Sequence, residues 1–412
     1  MKTIALLAGV ASALVLAGVA TGSPYVRFGI QDDAWLEYGP GTLADRTARL
    51  DELGFELVRV TVVWSEIEAV RGERDWSRAD RLLLALRERG LTPVVTLWGT
   101  PRWANGGRSP NWAPRNGAAF AAFAAAAARR YRFVSHWVIW NESNQRRWLR
   151  PTSPGVYVTR LLNPAYRAIR RANPRAKVAG GVTAPRAAYL GVSPVDFIRG
   201  MGRAGARLDA YAHHPYPLGP RDTPWSGGCD HCTTVTMATL ERLLREVETA
   251  FPRARIWLTE FGYQTNPPDR VLGVSPALQA RYLADALRRV HAAPKVDMLI
   301  HYLYRDEPDV GRWQSGLETA DGRSKPARWA AKLPLAQVSR AGARTTVWGQ
   351  VRCAATPTRV VLQRSAGGAW RGVTRVRTTP RGYLRLTVQA RPGEHLRLWH
   401  PDCSAGAALA VR

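Results

Sequence analysis

The chain has 412 residues, is 46% hydrophobic and carries 16 Trp, enough for a sizeable core and for more than one domain. Its formal charge of +27 would suit nucleic acid, but only 5 of the 59 basic residues are Lys and no Lys/Arg-rich block exists. That scatter sets nucleic acid aside and leaves an anionic polysaccharide or cell-wall polymer as a compatible partner.

At the N-terminus, Lys2 precedes an uncharged apolar stretch of 17 residues, 4–20, that closes on Ala17, Gly18, Val19 and Ala20. A positive start, a short apolar middle and small residues for cleavage describe an export signal over residues 1–22. The stretch is short for a bilayer span, which takes about 20 residues. A secreted, extracellular protein with no membrane span after signal removal is therefore expected, as a monomer.

Eight apolar runs follow, at 25–31, 57–64, 92–98, 134–140, 177–182, 208–212, 255–259 and 296–304. Most are continuous rather than alternating, as parallel strands buried on both faces require. Helical patterns separate them at 44–53, 76–89, 117–131, 154–171, 194–202, 234–251 and 275–292, and another follows the last run at 325–332. The segment 117–131 is nearly all Ala, an intrinsic helix former. In 234–251, Met237, Leu240, Leu244, Val247 and Phe251 fall at helical spacing. Strand and helix alternating eight times predict a (β/α)₈ TIM barrel over residues 23–335, within the α/β class.

From residue 336 the texture changes. Segments 345–353, 359–364, 383–389 and 395–399 alternate polar and apolar residues between turn-formers, which predicts a small antiparallel β-sandwich over 336–412. The four Cys suit an exported protein with two disulfides. Pairing Cys229 with Cys232 and Cys353 with Cys403 keeps each pair local, although three connectivities exist. A zinc site at Cys229-x-x-Cys232 lacks a second pair of matching spacing, so no metal and no cofactor are expected.

In such a barrel the strand C-termini and the loops after them form the functional face. The fourth run ends in Trp140-Asn141-Glu142, and the seventh ends in Thr259-Glu260-Phe261-Gly262. A carboxylate at the tip of an apolar strand is costly unless it has work to do. Two carboxylates across one barrel mouth are the equipment of glycoside hydrolysis, where one donates a proton and the other attacks the anomeric carbon.

On these two motifs the chain resembles the retaining (β/α)₈ glycoside hydrolases of clan A, over roughly residues 25–335. It is most similar to family 39 and family 5 members such as β-xylosidases, cellulases and matrix-polysaccharide hydrolases. The resemblance implies that Glu142 is the acid/base, Glu260 the nucleophile, and Asn141 a hydrogen-bonding partner of the sugar 2-hydroxyl. It also implies that Arg59, in Val58-Arg59-Val60, keeps the nucleophile ionised. A His-x-Tyr maps onto His214 and Tyr216, with Tyr216 donating to Glu260, His214 facing the sugar and His213 a packed neighbour. Trp98, Trp103, Tyr304 and Trp313 follow strands three and eight and are candidate sugar platforms. Relatives often end strand eight in Trp, whereas this chain reads His301-Tyr302-Leu303-Tyr304 there. The expected function is a secreted retaining O-glycosyl hydrolase acting on a β-linked oligo- or polysaccharide. The same residues also fit a transglycosylase, and a barrel without catalysis could bind carbohydrate or cell wall.

Overall fold

The structure is a computed structural model and describes residues 23, 26–229 and 231–412. The proposed export signal, residues 1–22, lies outside the described residues. Eight parallel strands close in sequence order: β1 (Arg27–Gln31), β2 (Leu57–Val63), β3 (Thr92–Trp98), β4 (His136–Ile139), β5 (Lys177–Thr183), β6 (Ala210–His213), β7 (Arg255–Phe261) and β8 (Val296–Tyr302). β1 pairs with β8, so the sheet has no edge. Leu57, Val94, Val138, Ala210, Trp257 and Ile300 fill the barrel interior. The opposite faces of the same strands pack on the surrounding helices. This double burial is why the runs are continuously apolar.

Local chemistry sets the element ends. Thr42 and Asp45 form a reciprocal capping box at the start of Leu43–Glu52. Ser193 and Ser275 cap helices that open on Pro194 and Pro276. The Ala-rich helix Gly117–Arg130 brings Phe120 and Phe123 within 5.5 Å of the buried Trp64 ring. Gly29 allows β1 to approach β2, because a Cβ there would stand 2.6 Å from that of Leu57.

Most strand boundaries differ from the sequence reading by one or a few residues, and two of the differences have a clear local cause. β2 stops at Val63, because Trp64 opens the short helix Trp64–Ile67. β8 stops at Tyr302, because Leu303 turns into the left-handed region at φ 80°. Among the described residues no helix is long and apolar enough to cross a membrane.

After the helix Pro326–Lys332 come β9 (Leu335–Ala341), β10 (Arg344–Gln350), β11 (Arg359–Ser365), β12 (Arg371–Arg377), β13 (Tyr383–Gln389) and β14 (His395–His400). They form antiparallel sheets in the orders β13-β10-β9 and β12-β11-β14, the second extended by two short strands. Val347, Leu386, Val360 and Leu398 meet in one core between the sheets. Cys353 pairs with Cys403, and Cys229 with Cys232.

The two parts share packing. The half-buried Arg352 lies over the Phe28 and Phe55 rings and donates to Gly54 O at 3.1 Å. Burial pushes its guanidinium down to about 10. His291 packs on Tyr383 at 4.0 Å. Phe28, Gly54 and Phe55 stand where β1 and β2 begin, so the sheets cover the N-terminal face of the barrel and leave the other face open.

Candidate active site

The C-terminal face holds a cleft of about 860 Å³ lined by residues from loops around the barrel. Glu142 and Glu260 stand in it at the ends of β4 and β7. An oxygen of each carboxylate and a ring nitrogen of His214 lie within 4.8 Å of one another.

Glu260 is the more enclosed of the two. Arg59 pairs with its Oε1, and Tyr216 OH donates to Oε2 at 3.0 Å. His214 Nδ1 lies 3.4 Å from Oε2. Burial alone would raise this carboxyl, but the charges of His214 and Arg59, with hydrogen bonds from Arg59 and Tyr216, hold it below the ordinary glutamate value. Tyr216 moves the other way: burial first, then the charge of Glu260, raises its phenol well above the usual value. It therefore stays a donor.

Arg59 is buried in β2, and each of its three side-chain nitrogens is engaged. Nε donates to Thr96 Oγ1 at 2.8 Å, Nη1 also to Gln31 Oε1 at 2.5 Å, and Nη2 to Asn141 Oδ1 at 2.8 Å. Five donors in a rigid plane make such a set possible for Arg and not for Lys. The bond to Asn141 Oδ1 fixes that amide and turns its NH₂ away from Arg59.

For the Glu142 carboxylate, the side-chain partner among the described residues is His214, whose Nδ1 is 3.2 Å from Oε1. The other ring nitrogen is 3.1 Å from Thr259 Oγ1. Nδ1 thus faces two carboxylate acceptors and must carry a proton when either is ionised. His213 points elsewhere, bonding Thr183 Oγ1 and Val235 O, and its burial pushes it down to about 3. Trp140 and Glu142 have positive φ, 76° and 37°, and Trp140 is locked by its indole N–H on Trp148 O at 2.7 Å. Such backbone costs about 1–3 kcal/mol per residue and persists where the surroundings over-determine it. Here it aims Glu142 across the mouth.

Trp98 and Trp313 line the cleft, and Trp313 lies 4.7 Å from Tyr216. Trp103 does not: its indole N–H reaches back to Glu68 O at 2.8 Å, and its ring packs edge-on against Trp64. Tyr304 does not either. The turn at Leu303 drives it inward, where it stacks on Trp35 at 3.8 Å and bonds Glu318 and Arg328. At the end of β8 the residue facing the cleft is Tyr302, while His301 is buried on Ser315 O.

The cleft also uses residues that the motifs did not indicate. Gln31 ends β1 and Asp33 opens the helix Asp33–Tyr38 that follows, where it accepts from Thr61 N at 2.8 Å and from Thr61 Oγ1 at 2.9 Å. Asp32 and Asp33 directly follow the first apolar run, 25–31, a polar ending like the one that marked Glu142. Gln145, Arg147, Trp148 and Arg186 come from the loops after β4 and β5.

Glu142, His214 and Glu260 are the one group among the described residues that could hold a metal ion. The guanidinium of Arg59 on Glu260 opposes a cation there, and the Nδ1 proton would have to leave.

The (β/α)₈ barrel has the fold of solved glycoside hydrolases of families 39 and 5. The chain is similar to a family 39 glycoside hydrolase from Bacteroides cellulosilyticus WH2, with a TM-score of 0.61, 17% identity, and coverage of 93% of this chain and 81% of that one. It is similar to a monomeric β-xylosidase from Caulobacter crescentus CB15, with a TM-score of 0.60, 17% identity and coverage of 93% and 97%. An exo-β-1,4-mannosidase from Opitutaceae bacterium strain TAV5 matches with a TM-score of 0.53 and 20% identity, over 76% of this chain and 59% of that one. No protein-family model matches the sequence, and no curated protein matches it.

Proposed function

We propose that the chain is an exported, retaining O-glycosyl hydrolase that cleaves a β-linked oligo- or polysaccharide by double displacement. The observation that carries this reading is the approach of the Glu142 and Glu260 carboxylates, with oxygens within 4.8 Å. Retaining enzymes separate their carboxyl groups by about 5–5.5 Å, whereas inverting ones need about 6.5–9.5 Å for a water. A β-xylosidase and an exo-β-1,4-mannosidase, named for action on β-linked sugars, have similar structures.

In the first step a Glu260 oxygen bonds to the anomeric carbon as the bond from that carbon to the leaving oxygen breaks. Glu142 gives its proton to that oxygen. In the second step water attacks the anomeric carbon, Glu142 takes the water proton, and the bond to Glu260 breaks. Arg59, His214 and Tyr216 keep Glu260 ionised for attack, and the NH₂ of Asn141 is free to meet the sugar 2-hydroxyl.

The test is a screen of aryl β-glycosides and polysaccharides with the wild type and Glu260→Ala. Hydrolysis by the wild type that the variant loses is expected. Equal activity in both removes Glu260 as nucleophile, and no hydrolysis of any substrate by the wild type removes the hydrolase reading.

A further inference from the structure

Four arginines besides Arg59 reach the cleft, and their charge balance is uneven. Arg78 pairs with Glu37 at 2.5 Å, and Arg312 stands 3.8 Å from Asp309 and 4.0 Å from Glu307. Arg147 and Arg186 are exposed and meet no carboxylate among the described residues. Both belong to the loops after β4 and β5, on the side of the mouth where Glu142 stands. That is the side to which an acid/base delivers its proton, so it faces the leaving group.

These two side chains rest on a fixed frame. Gln145 spans the two loops: its Nε2 donates to Arg186 O, and its Oε1 accepts from Ala188 N at 3.1 Å. Asn111 Nδ2 donates to Arg147 O at 2.9 Å. Trp148 sits beside them, edge-on to Trp98 at 5.5 Å, with its own carbonyl held by Trp140. Two aromatic rings and two guanidinium groups without a carboxylate partner among the described residues, that of Arg147 lying over the Trp148 ring at 5.7 Å, stand in one wall and suit a sugar that carries an anion. Guanidinium binds carboxylates and sulfates through paired, charge-assisted hydrogen bonds. The chain's net charge of +27 favours association with polyanions in general.

We propose that the leaving-group side of the cleft is a subsite for an anionic saccharide unit, a uronate or a sulfate ester, bound by Arg147 and Arg186 against Trp148 and Trp98. The choice of side rests on the hydrolase reading. The anion preference does not, and it is read by binding alone.

Calorimetric titration of the full chain bearing Glu260→Gln would compare cellotetraose, the β-1,4-linked tetramer of glucuronic acid, and 6-O-sulfated cellotetraose. The backbone is the same in all three. At low salt at least one anionic tetramer should bind roughly tenfold tighter than cellotetraose, as expected for partly exposed charge-assisted contacts. The tighter of the two anions separates carboxylate from sulfate. The preference should vanish in the double variant Arg147→Gln/Arg186→Gln, whose exposed positions keep the fold. Equal affinities, no binding by either anionic tetramer, or a preference that survives the double variant would overturn the subsite. If the anionic tetramers bind as stated while the wild type hydrolyses nothing, the hydrolase reading fails and the subsite stands.

Discussion

Replacing Arg59 by Met tests the electrostatic frame of the site. The side chain is buried and donates to Glu260, Gln31, Asn141 and Thr96. Removing one partner of a buried pair typically costs about 3–5 kcal/mol, since the other charge stays behind unpaired. In the wild type, Glu260 sits below its ordinary value, so its contribution to stability is present above the unfolded-state value of about 4.3 and is lost as pH falls through the lower folded one. In the variant, burial is opposed by His214 and Tyr216 alone, and the carboxyl rises. A raised carboxyl destabilises the fold at high pH, and protonation relieves that cost as pH falls. The gap in Tm between wild type and variant should therefore be several degrees near pH 8 and narrow toward pH 5. Scanning calorimetry across that range reads it. The same loss at the transition state lowers kcat/KM about a hundred- to a thousandfold, and the acid limb of the pH profile moves up. A Tm gap that is constant with pH, or an unmoved acid limb, would refute the pairing of Arg59 with an ionised Glu260.

Glu142→Ala should lower turnover of substrates with poor leaving groups by about 10²–10⁴, while a dinitrophenyl glycoside forms its glycosyl-enzyme at a near-normal rate in a pre-steady-state burst. An equal loss on both would deny Glu142 the acid role. Trp313→Ala should raise KM roughly tenfold with kcat little changed, because a platform binds ground state and transition state alike. A fall in kcat alone would instead place its importance in its packing on Tyr216. Cys353→Ala with Cys403→Ala opens a crosslink of sequence separation 50, worth about 4 kcal/mol in chain entropy, seen as a lower unfolding temperature of the C-terminal sheets. Activity at 25 °C should persist, because those sheets cover the barrel face opposite the cleft.

The barrel was legible because its strands are buried on both faces, and runs such as Val58-Arg59-Val60 and Ile256-Trp257-Leu258 carry that in plain order. The tail was less so. β12, with the pattern Arg371-Gly372-Val373-Thr374-Arg375-Val376-Arg377, buries only Val376, and an edge strand with so little apolar area leaves a faint trace. The carboxylates at strand ends could be found because a charge closing an apolar run is costly. The aromatic residues could not be sorted in the same way. Trp103 and Trp313 are both tryptophans beyond the strand ends, and the hydrogen bond of Trp103 to Glu68 O, made across the fold, decides that one of them faces away. Arg147 and Arg186 were hidden among 59 basic residues, since pairing is a property of space rather than of sequence.

Double displacement requires that the sugar be bonded for a time to Glu260. Incubating the wild type with an activated 2-deoxy-2-fluoro glycoside of a sugar that it hydrolyses, followed by intact mass and peptide mapping, tests this most directly. One fluoroglycosyl group on the peptide that contains Glu260, absent in Glu260→Gln, is the expected result. Hydrolysis that leaves no adduct, or an adduct on another residue, would contradict it.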